Sequence, residues 1–219
     1  MKNVIFIAPP AAGKGTISNY LVNNYHYVHI STGALLRSMA LEETELGKEI
    51  KSLMSEGKFI NDNLIFKVLE GALKKVEHKP FLLDGVPRNL NQAKYLTELF
   101  SKLNVNNYIV INLEINENTL VKRATGRRVC QQCNTTYNIH FDEFKPDKEN
   151  TCNKCEHKLI TRLDDTEETF KTRLETFKRE TKPLITYYQE LNLLKKIDAN
   201  QTHQEIIKKI KEIIEVKND

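Results

Sequence analysis

Apolar runs of strand length alternate with amphipathic helical patterns along most of this chain. Five stretches read as strands: the apolar runs 4–8, 81–83 and 108–113, and the more mixed stretches 27–30 and 194–197. The run at 81–83 is apolar on both faces, as a central parallel strand should be. The alternation predicts an α/β fold built on a doubly wound parallel sheet of five strands.

Helical periodicity and capping residues place helices between these runs. The predicted helices cover 17–24, a segment capped at 31–33, Glu45–Ser55, 61–76, 89–103, 116–125, 166 to about 179, a segment after Pro183, and 202–216. The second of them is predicted to bury Leu35, Leu36 and Met39, and a glycine break at 56–58 follows the third. The helical period is lost from 127 to 164, which we interpret as a small inserted domain.

The turn after the first strand carries the first candidate chemistry. Residues 8–16 read Ala-Pro-Pro-Ala-Ala-Gly-Lys-Gly-Thr, which is close to the phosphate-binding pattern G-x-x-x-x-G-K-[ST]. In such a loop, backbone N–H groups at a helix start and a lysine converge on a phosphate. Ala8 stands where the first glycine belongs, and Gly15 precedes Thr16. Considered alone, the stretch also fits an ordinary strand-to-helix turn.

Composition narrows the class of protein. The chain has 219 residues, of which 40% are hydrophobic and 28% charged, as in a soluble globular protein. The net charge of +4 does not indicate nucleic-acid binding and suits small anionic substrates equally well. No apolar run approaches the roughly 20 residues of a membrane span, and no signal peptide is recognisable. We therefore expect a cytoplasmic protein with no membrane and no nucleic-acid partner.

Four cysteines lie close together in the inserted domain. Cys130 and Cys133, and Cys152 and Cys155, form two C-x2-C pairs separated by 18 residues. This spacing predicts one tetrahedral zinc ion held by four thiolates, and four protein ligands leave no open position, so the metal is structural. Free reduced thiols without a metal are the alternative. His140 and His157 are possible substitute ligands if one of the cysteines does not bind the metal.

Charged residues at the ends of other elements complete the candidate site. Asp84 follows a buried strand, where a magnesium–nucleotide would lie in a chain with a phosphate loop. Six arginines stand near the same ends, and arginine forks match phosphate oxygens. They are Arg37, Arg88, Arg123, Arg127, Arg162 and Arg173.

Together these motifs resemble the adenylate kinase family, specifically its long bacterial type with a zinc-containing lid. The likeness covers nearly the whole chain and rests on an ordered set of segments. They are 11–16, 30–33 with Leu36 and Arg37, 45–48, 81–88 with Gln92, 126–129, the two cysteine pairs, and 161–165 with Glu167, Glu168 and Arg173.

The resemblance implies reversible transfer of a phosphoryl group from MgATP to AMP, giving two ADP. It implies that the loop residues Ala11, Ala12, Gly13, Lys14, Gly15 and Thr16 bind the ATP phosphates. It places Arg123 on the ATP adenine, Tyr137 near the ATP ribose and base, and Asp84 at the magnesium waters. Arg127, Arg162 and Arg173 would close on the phosphates, helped by Asp164 and Asp165.

For AMP, the resemblance implies a site made by Thr32, Gly33, Arg37, Gly85, Arg88, Gln92, Arg162 and Arg173. The catalytic set would be Lys14, Asp84, Arg88, Arg127, Arg162 and Arg173. It also implies a monomer with a core (1–30, 61–126 and 165–219), a helical AMP-binding domain (31–60) and a zinc lid (127–164).

For several of these residues, an ordinary structural role is an open alternative to the functional one. Thr32 and Asp84 could be ordinary cap and turn residues, and Gln92 could be an exposed helix residue. Tyr137 could pack inside the lid, and Asp164 or Asp165 could be the N-cap of the helix that follows. The chain also departs from the family at Ala8, Ala11, Ala34 and Val86. Two rival functions remain: a kinase for another nucleoside monophosphate, and a zinc-ribbon binding module on a phosphate-loop scaffold.

Overall fold

The computed structural model describes residues 1–56, 58, 60–76, 79–162 and 164–215. The strands are β1 (Asn3–Ile7), β2 (Val28–Ser31), β3 (Phe81–Asp84), β4 (Tyr108–Glu114), β5 (Arg127–Cys130), β6 (Thr136–Asn138), β7 (Leu159–Ile160) and β8 (Leu194–Asp198). A parallel sheet of five strands has the order β2-β3-β1-β4-β8. The predicted five-stranded parallel sheet is confirmed.

Helices cover both faces of this sheet. They are α1 (Lys14–Tyr25), α2 (Thr32–Met39), α3 (Glu45–Ser55), α4 (Asp62–Leu73), α5 (Leu90–Lys102), α6 (Glu117–Thr125), α7 (Glu167–Thr176), α8 (Pro183–Glu190) and α9 (His203–Ile214). A 3-10 turn at Asp142–Phe144 and a π-helical turn at Phe177–Thr181 complete the elements.

The two faces follow from the alternation of side chains along β1. Val4 and Phe6 pack with residues of α1, α6, α7 and α9, whereas Ile5 and Ile7 pack with residues of α4, α5 and α8. Because β1 is buried on both faces and has a neighbour on each side, it forms the centre of the fold. The carboxyl end of β1 is therefore held rigidly, and the loop that starts there inherits this rigidity.

The segment after Gly126 forms a separate antiparallel sheet with the order β6-β5-β7. Its apolar centre is small and consists of Cys130, Tyr137, Cys152 and Leu159. So small a core gains much from a cross-link or a bound metal.

The structure differs from the sequence expectations in three local details. Leu36 is buried in α2, but Leu35, predicted to be buried with it, is 36% exposed. The buried face of α2 is therefore narrower than the apolar face predicted from the sequence. The helix predicted to reach residue 179 changes at Phe177 to a π-helical turn that leads directly into α8, with Pro183 at the first position of that helix. The helix predicted over 61–76 ends at Leu73.

Two predicted features fall outside the described residues, namely Gly57 in the glycine break and Val216 at the end of the last helix. Within the described ranges, none of the helices has the length and apolar character needed to cross a bilayer. The division into core, helical domain and lid stays a prediction.

Candidate active site

A cavity of about 1680 Å³ opens at the carboxyl ends of β1, β2 and β3. Ligands of open α/β sheets bind at this edge. The residues that line it include Ala11, Ala12, Gly13, Lys14, Gly15, Thr16, Gly33, Arg37, Asp84, Gly85, Arg88, Arg123, Arg127, Tyr137, Arg162 and Arg173. Thr32 and Gln92 are the two predicted nucleotide-binding residues outside this lining, and they are only 1% and 2% exposed.

The loop between β1 and α1 has two residues with positive φ, Ala11 at 63° and Gly13 at 95°. Lys14 begins α1 and turns back, donating hydrogen bonds from Nζ to the carbonyls of Ala8 at 3.3 Å and Pro9 at 3.2 Å. The helix start supplies N–H groups and the positive end of a dipole next to this ammonium group. The arrangement is that of a phosphate-binding loop.

Ala11 is the loop residue whose conformation suits glycine better, whereas Ala8 has no positive φ. We expect Ala11→Gly to raise the free energy of unfolding by about 1 kcal/mol. An alanine in the left-handed region costs about 1–2 kcal/mol, which glycine avoids, but the greater conformational entropy of glycine in the unfolded state offsets part of this stabilisation. Thermal unfolding would show a melting temperature higher by about 2–4 °C. The matched control is Ala8→Gly, which should lower it. A lower melting temperature for Ala11→Gly would contradict the strain at this position.

Burial gives Lys14 an unusual pKa. Removal from water lowers the pKa of the Lys14 ammonium group to about 8, and the neighbouring charge of Asp84 offsets part of the effect. Arg88, Arg173 and Arg127 lower it further. An ammonium group that its own surroundings disfavour gains stability from a bound anion.

Asp84 lies at the end of β3, opposite the start of the phosphate loop. Its Oδ2 is 3.7 Å from Nε2 of His29. Burial raises the pKa of Asp84, but the nearby His29 imidazole and the charge of Lys14 outweigh burial and leave the pKa below its usual value. The carboxylate therefore stays ionised, as a group that attracts a cation must.

Gly85 and Arg88 follow Asp84 in a tight turn. Gly85 has φ of 86°, and a Cβ there would come within 2.8 Å of the Thr32 hydroxyl oxygen. The Arg88 guanidinium donates from Nε to the Gly85 carbonyl at 2.8 Å, and the Thr181 hydroxyl donates to the Arg88 carbonyl at 2.7 Å. Burial and the charge of Arg173 lower the pKa of Arg88 to about 10. The turn thus holds a guanidinium group against the cavity in a fixed pose.

Gln92 is buried, so the exposed position considered for it is wrong. Its Oε1 accepts a hydrogen bond from the Arg88 backbone N–H at 2.7 Å, and its Nε2 donates to Asp62 Oδ1 at 2.6 Å. Asn89 and Asn91 donate to the same carboxylate. The Gln92 amide is therefore held from both ends.

Two arginines of the site are paired with the consecutive aspartates before α7. Arg173 donates from Nη1 to Asp164 Oδ2 at 2.7 Å. Arg127 binds Asp165 with two nitrogens, with Nε 2.8 Å from Oδ2 and Nη2 in contact with Oδ1. The N-cap of α7 is Thr166, whose hydroxyl accepts from the Thr169 N–H, so the N-cap role considered for the aspartates is wrong. The aspartates instead orient the two guanidinium groups.

Positive charge prevails along the cavity wall. Among the described residues that line it, ten are lysine or arginine and four are aspartate or glutamate. Burial and the charge of Arg127 lower the pKa of Arg162 to about 10, and burial also lowers the pKa of Arg37. Cations that destabilise one another in a cavity of this size favour a ligand with several negative charges.

The structure also brings in residues that the sequence patterns did not single out. The Arg123 guanidinium carbon lies 5.7 Å from the centre of the Phe141 ring, and Nη1 donates to the Ala12 carbonyl at 3.2 Å. Phe141, Gln201 and His203 line the same end of the cavity. The sequence gives only indirect indications that these three residues line the cavity. Phe141 follows Tyr137 by four residues, and Gln201 and His203 lie at the start of a helix.

The four cysteines converge as their spacing predicts. All four sulfurs lie within 4.8 Å of one another, with 3.4 Å between Cys130 and Cys155 and 3.5 Å between Cys133 and Cys152. A tetrahedron of about 2.3 Å zinc–sulfur bonds has sulfur–sulfur edges of about 3.8 Å, so the set fits a metal ion. In the part of the chain that is described, neither His140 nor His157 belongs to this cluster.

Tyr137 lies between the cysteine cluster and the cavity. Its hydroxyl group accepts a hydrogen bond from the Asn153 N–H at 2.8 Å and contacts the Cys152 sulfur at 3.5 Å. The ring is 7% exposed and belongs to the small apolar centre of the insert. Packing inside the insert is thus one role of Tyr137, and the ring still lines the cavity.

Comparison with known proteins gives a consistent result. A family model described as Adenylate kinase matches residues 6–193. A protein of Borrelia recurrentis named Adenylate kinase is 41% identical over 212 residues, covering 96% of this chain and 95% of the relative. Relatives of the same name from Borreliella burgdorferi and from Thermoanaerobacter sp. are 41% and 39% identical, covering 98% and 96% of this chain and 99% and 97% of their own lengths.

Proposed function

Because the chain belongs to the adenylate kinase family, we propose that its cavity binds ATP and AMP together and transfers the γ-phosphoryl group between them. The chain is a phosphotransferase that catalyses the reversible reaction ATP + AMP = 2 ADP. The observation that carries the assignment of this cavity is the excess of lysine and arginine around the phosphate loop. Two nucleotides that meet through their phosphates bring the matching negative charge.

The ATP phosphates would lie on the loop and the start of α1. Lys14 would then exchange its carbonyl contacts for phosphate oxygens, and the N–H groups from Gly13 to Thr16 would donate to the phosphates. Arg123, fixed to the loop through the Ala12 carbonyl, would cover the adenine from one side. Tyr137 would contact the ribose with its ring edge, since its hydroxyl group is already bonded inside the insert.

AMP would lie between α2 and the turn after β3. Arg37 and Arg88 hold its phosphate, with Arg162 and Arg173 between the two nucleotides. Gly33, Gly85 and Thr32 would border the space for ribose and base. Position 85 has no room for a side chain, because a Cβ there would lie 2.8 Å from the Thr32 hydroxyl oxygen. Gln92 reads the adenine edge.

Positioning and charge carry the chemistry. The attacking AMP oxygen is already anionic, so no general base is needed, and the arginines bring two like-charged phosphates into line while neutralising charge in the transition state. Arg127 and Arg173 are oriented for this by Asp165 and Asp164. Closing the segments 31–60 and 127–164 over the nucleotides would exclude water, which would otherwise accept the phosphoryl group.

Asp84 has the chemistry needed to hold magnesium with ATP, because it is an ionised carboxylate at the edge where the phosphates lie. When bound with ATP, magnesium would supply positive charge that neutralises the phosphate oxygens, and Asp84 is the residue that would hold it there. The resemblance implies an aspartate near the magnesium waters at the position of Ala34, so in this chain Asp84 would take a larger share of holding those waters.

The cysteine cluster would hold zinc, which links the two ends of an insert with little core of its own. We expect removal of the metal, or Cys133→Ser, to lower the melting temperature by about 5–10 °C, equivalent to about 2–3 kcal/mol for a chain of this size. The initial rate at low temperature should change far less, since none of the four cysteines lines the cavity. Metal analysis, thermal unfolding and rate are measured on the same preparation.

The control for Cys133→Ser is Gln132→Ser, which changes the adjacent exposed residue and leaves all four sulfurs in place. The melting temperature of Gln132→Ser should equal that of the unmodified protein. A purified protein with intact thiols and no bound metal would count against zinc.

The decisive assay for the function offers AMP, GMP, CMP and UMP separately with MgATP and measures ADP formation. AMP should be the preferred acceptor. Transfer to another monophosphate but not to AMP would overturn the acceptor assignment, and salt-sensitive nucleic-acid binding without turnover would favour the binding module. The monomeric state and the cytoplasmic location stay predictions.

A further inference from the structure

Asp62 connects the start of α4 with the start of α5 through side-chain amides. As the first residue of α4, its carboxylate lies at a helix start, which favours an anion. It accepts hydrogen bonds from Asn89 at 3.2 and 3.3 Å, from Asn91 at 2.7 Å and from Gln92 at 2.6 Å. The Gln92 contact is the shortest of these and reaches a side chain that is 2% exposed.

These contacts determine which way the Gln92 amide points. The Arg88 backbone N–H can only donate, so it selects Oε1, and a carboxylate can only accept, so Asp62 selects Nε2. The opposite orientation would put two donors together at Arg88 and two acceptors together at Asp62. Each end of the amide retains one further valence, a lone pair on Oε1 and a hydrogen on Nε2.

We infer that Asp62 is a positioning residue for base selection: with the Arg88 N–H, it locks Gln92 in the orientation that reads a 6-amino purine. The inference rests on the proposed function, in which Gln92 reads the AMP base. Adenine presents an N6 donor and an N1 acceptor, which match Oε1 and Nε2. A purine with a carbonyl group at C6 presents an acceptor and an N1–H donor, so it requires the amide to turn around.

The fixed orientation of the Gln92 amide favours a 6-amino purine over a 6-oxo purine, because the two bases require different numbers of its hydrogen bonds to break. Turning Gln92 to suit a 6-oxo purine breaks the contacts to both Arg88 and Asp62. Without the Asp62 acceptor, the same turn breaks only one. A buried hydrogen bond to a charged group is worth about a factor of ten or more in an equilibrium, so selectivity should fall by about that factor.

The test compares kcat/KM for AMP and for inosine monophosphate, with MgATP as donor, in four proteins. Asp62→Ala should lower the AMP-to-IMP ratio about tenfold. Asp62→Asn keeps an oxygen that can accept from Nε2, so it should retain most of the ratio. Asn91→Ala removes another contact to the same carboxylate without touching Gln92, and it should leave the ratio unchanged whatever it does to the melting temperature.

Each outcome decides the inference. An unchanged ratio in Asp62→Ala, or equal losses in Asp62→Ala and Asn91→Ala, would reduce Asp62 to a tether between helices. An unmodified protein that uses AMP but does not prefer it over IMP would also overturn the inference and leave the kinase function standing. If that protein does not use AMP at all, the proposed function itself fails. Should Asp62→Ala not fold, Asp62→Ser removes the carboxylate while keeping a small polar residue at the helix start.

Discussion

Arg88→Ala is expected to lower kcat/KM for AMP by about a thousandfold, because Arg88 would hold the attacking AMP phosphate and neutralise charge beside the transferring group, where one arginine contributes about that factor or more. The side chain is fixed to the Gly85 carbonyl and faces the cavity, so it meets the phosphate without reorganising. The fold should persist, because the Gln92 and Thr181 contacts involve the backbone of residue 88 and alanine keeps them. Steady-state kinetics and circular dichroism on the same sample test both statements.

Arg179→Ala serves as the matched control for this substitution. Arg179 is an exposed arginine whose ion pair with Glu180 lies away from the cavity. Removing its side chain should therefore leave kcat/KM for AMP within about twofold of the value for the unmodified protein. Arg88→Lys should fall between the two, because lysine keeps the charge but loses the planar fork. Near-normal activity of Arg88→Ala would remove this residue from the site.

Lys14→Met is the second substitution with a large expected effect, a loss of several hundred-fold to a thousandfold in kcat. Methionine approximates the length of the lysine stem but contributes no charge where negative charge builds up on the transferring group. Lys171→Met, at an exposed ion pair of α7, is the matched control and should be close to neutral. Equal activities for the two variants would show that the loop lysine takes no part in transfer.

The pH profile of the unmodified protein tests Lys14 without substitution. Its pKa in the free protein is about 8, below the ordinary lysine value, so the ammonium form prevails below pH 8 and declines above it. We expect kcat/KM for MgATP to fall above about pH 8, whereas kcat at saturation should fall only at higher pH because bound phosphates favour the charged form. A flat kcat/KM up to pH 10 would contradict this.

Local patterns were sufficient for much of this fold. The strands β1, β3 and β4 appear as apolar runs because they are buried on both faces. The boundaries of α3 coincide with those predicted, because the Thr44 hydroxyl caps the helix by accepting a hydrogen bond from the Gly47 N–H. The cysteine pairs converge because their spacing leaves few other arrangements. In each case the physical cause acts within a few residues, and the sequence records it directly.

Other features depend on partners distant along the chain. The sequence cannot show that Asp62 holds Gln92, because the hydrogen bond spans 30 residues and depends on how α4 meets α5. The positive φ of Ala11 follows from the path between β1 and α1, which alanine does not signal. Leu35 looks like a core residue until the packing partner of α2 is known. Burial and orientation at these positions are tertiary properties.

The π-helical turn between α7 and α8 brings three side chains into phase. Arg173, Phe177 and Thr181 are spaced by four residues, and all three line the cavity. In a regular α-helix each such step advances by roughly 40° around the axis, so the third residue would have drifted well off the line of the first. A π turn needs more residues per revolution and reverses that drift. One guanidinium group, one ring and the hydroxyl group that anchors Arg88 are thereby aligned along a single edge of the helix.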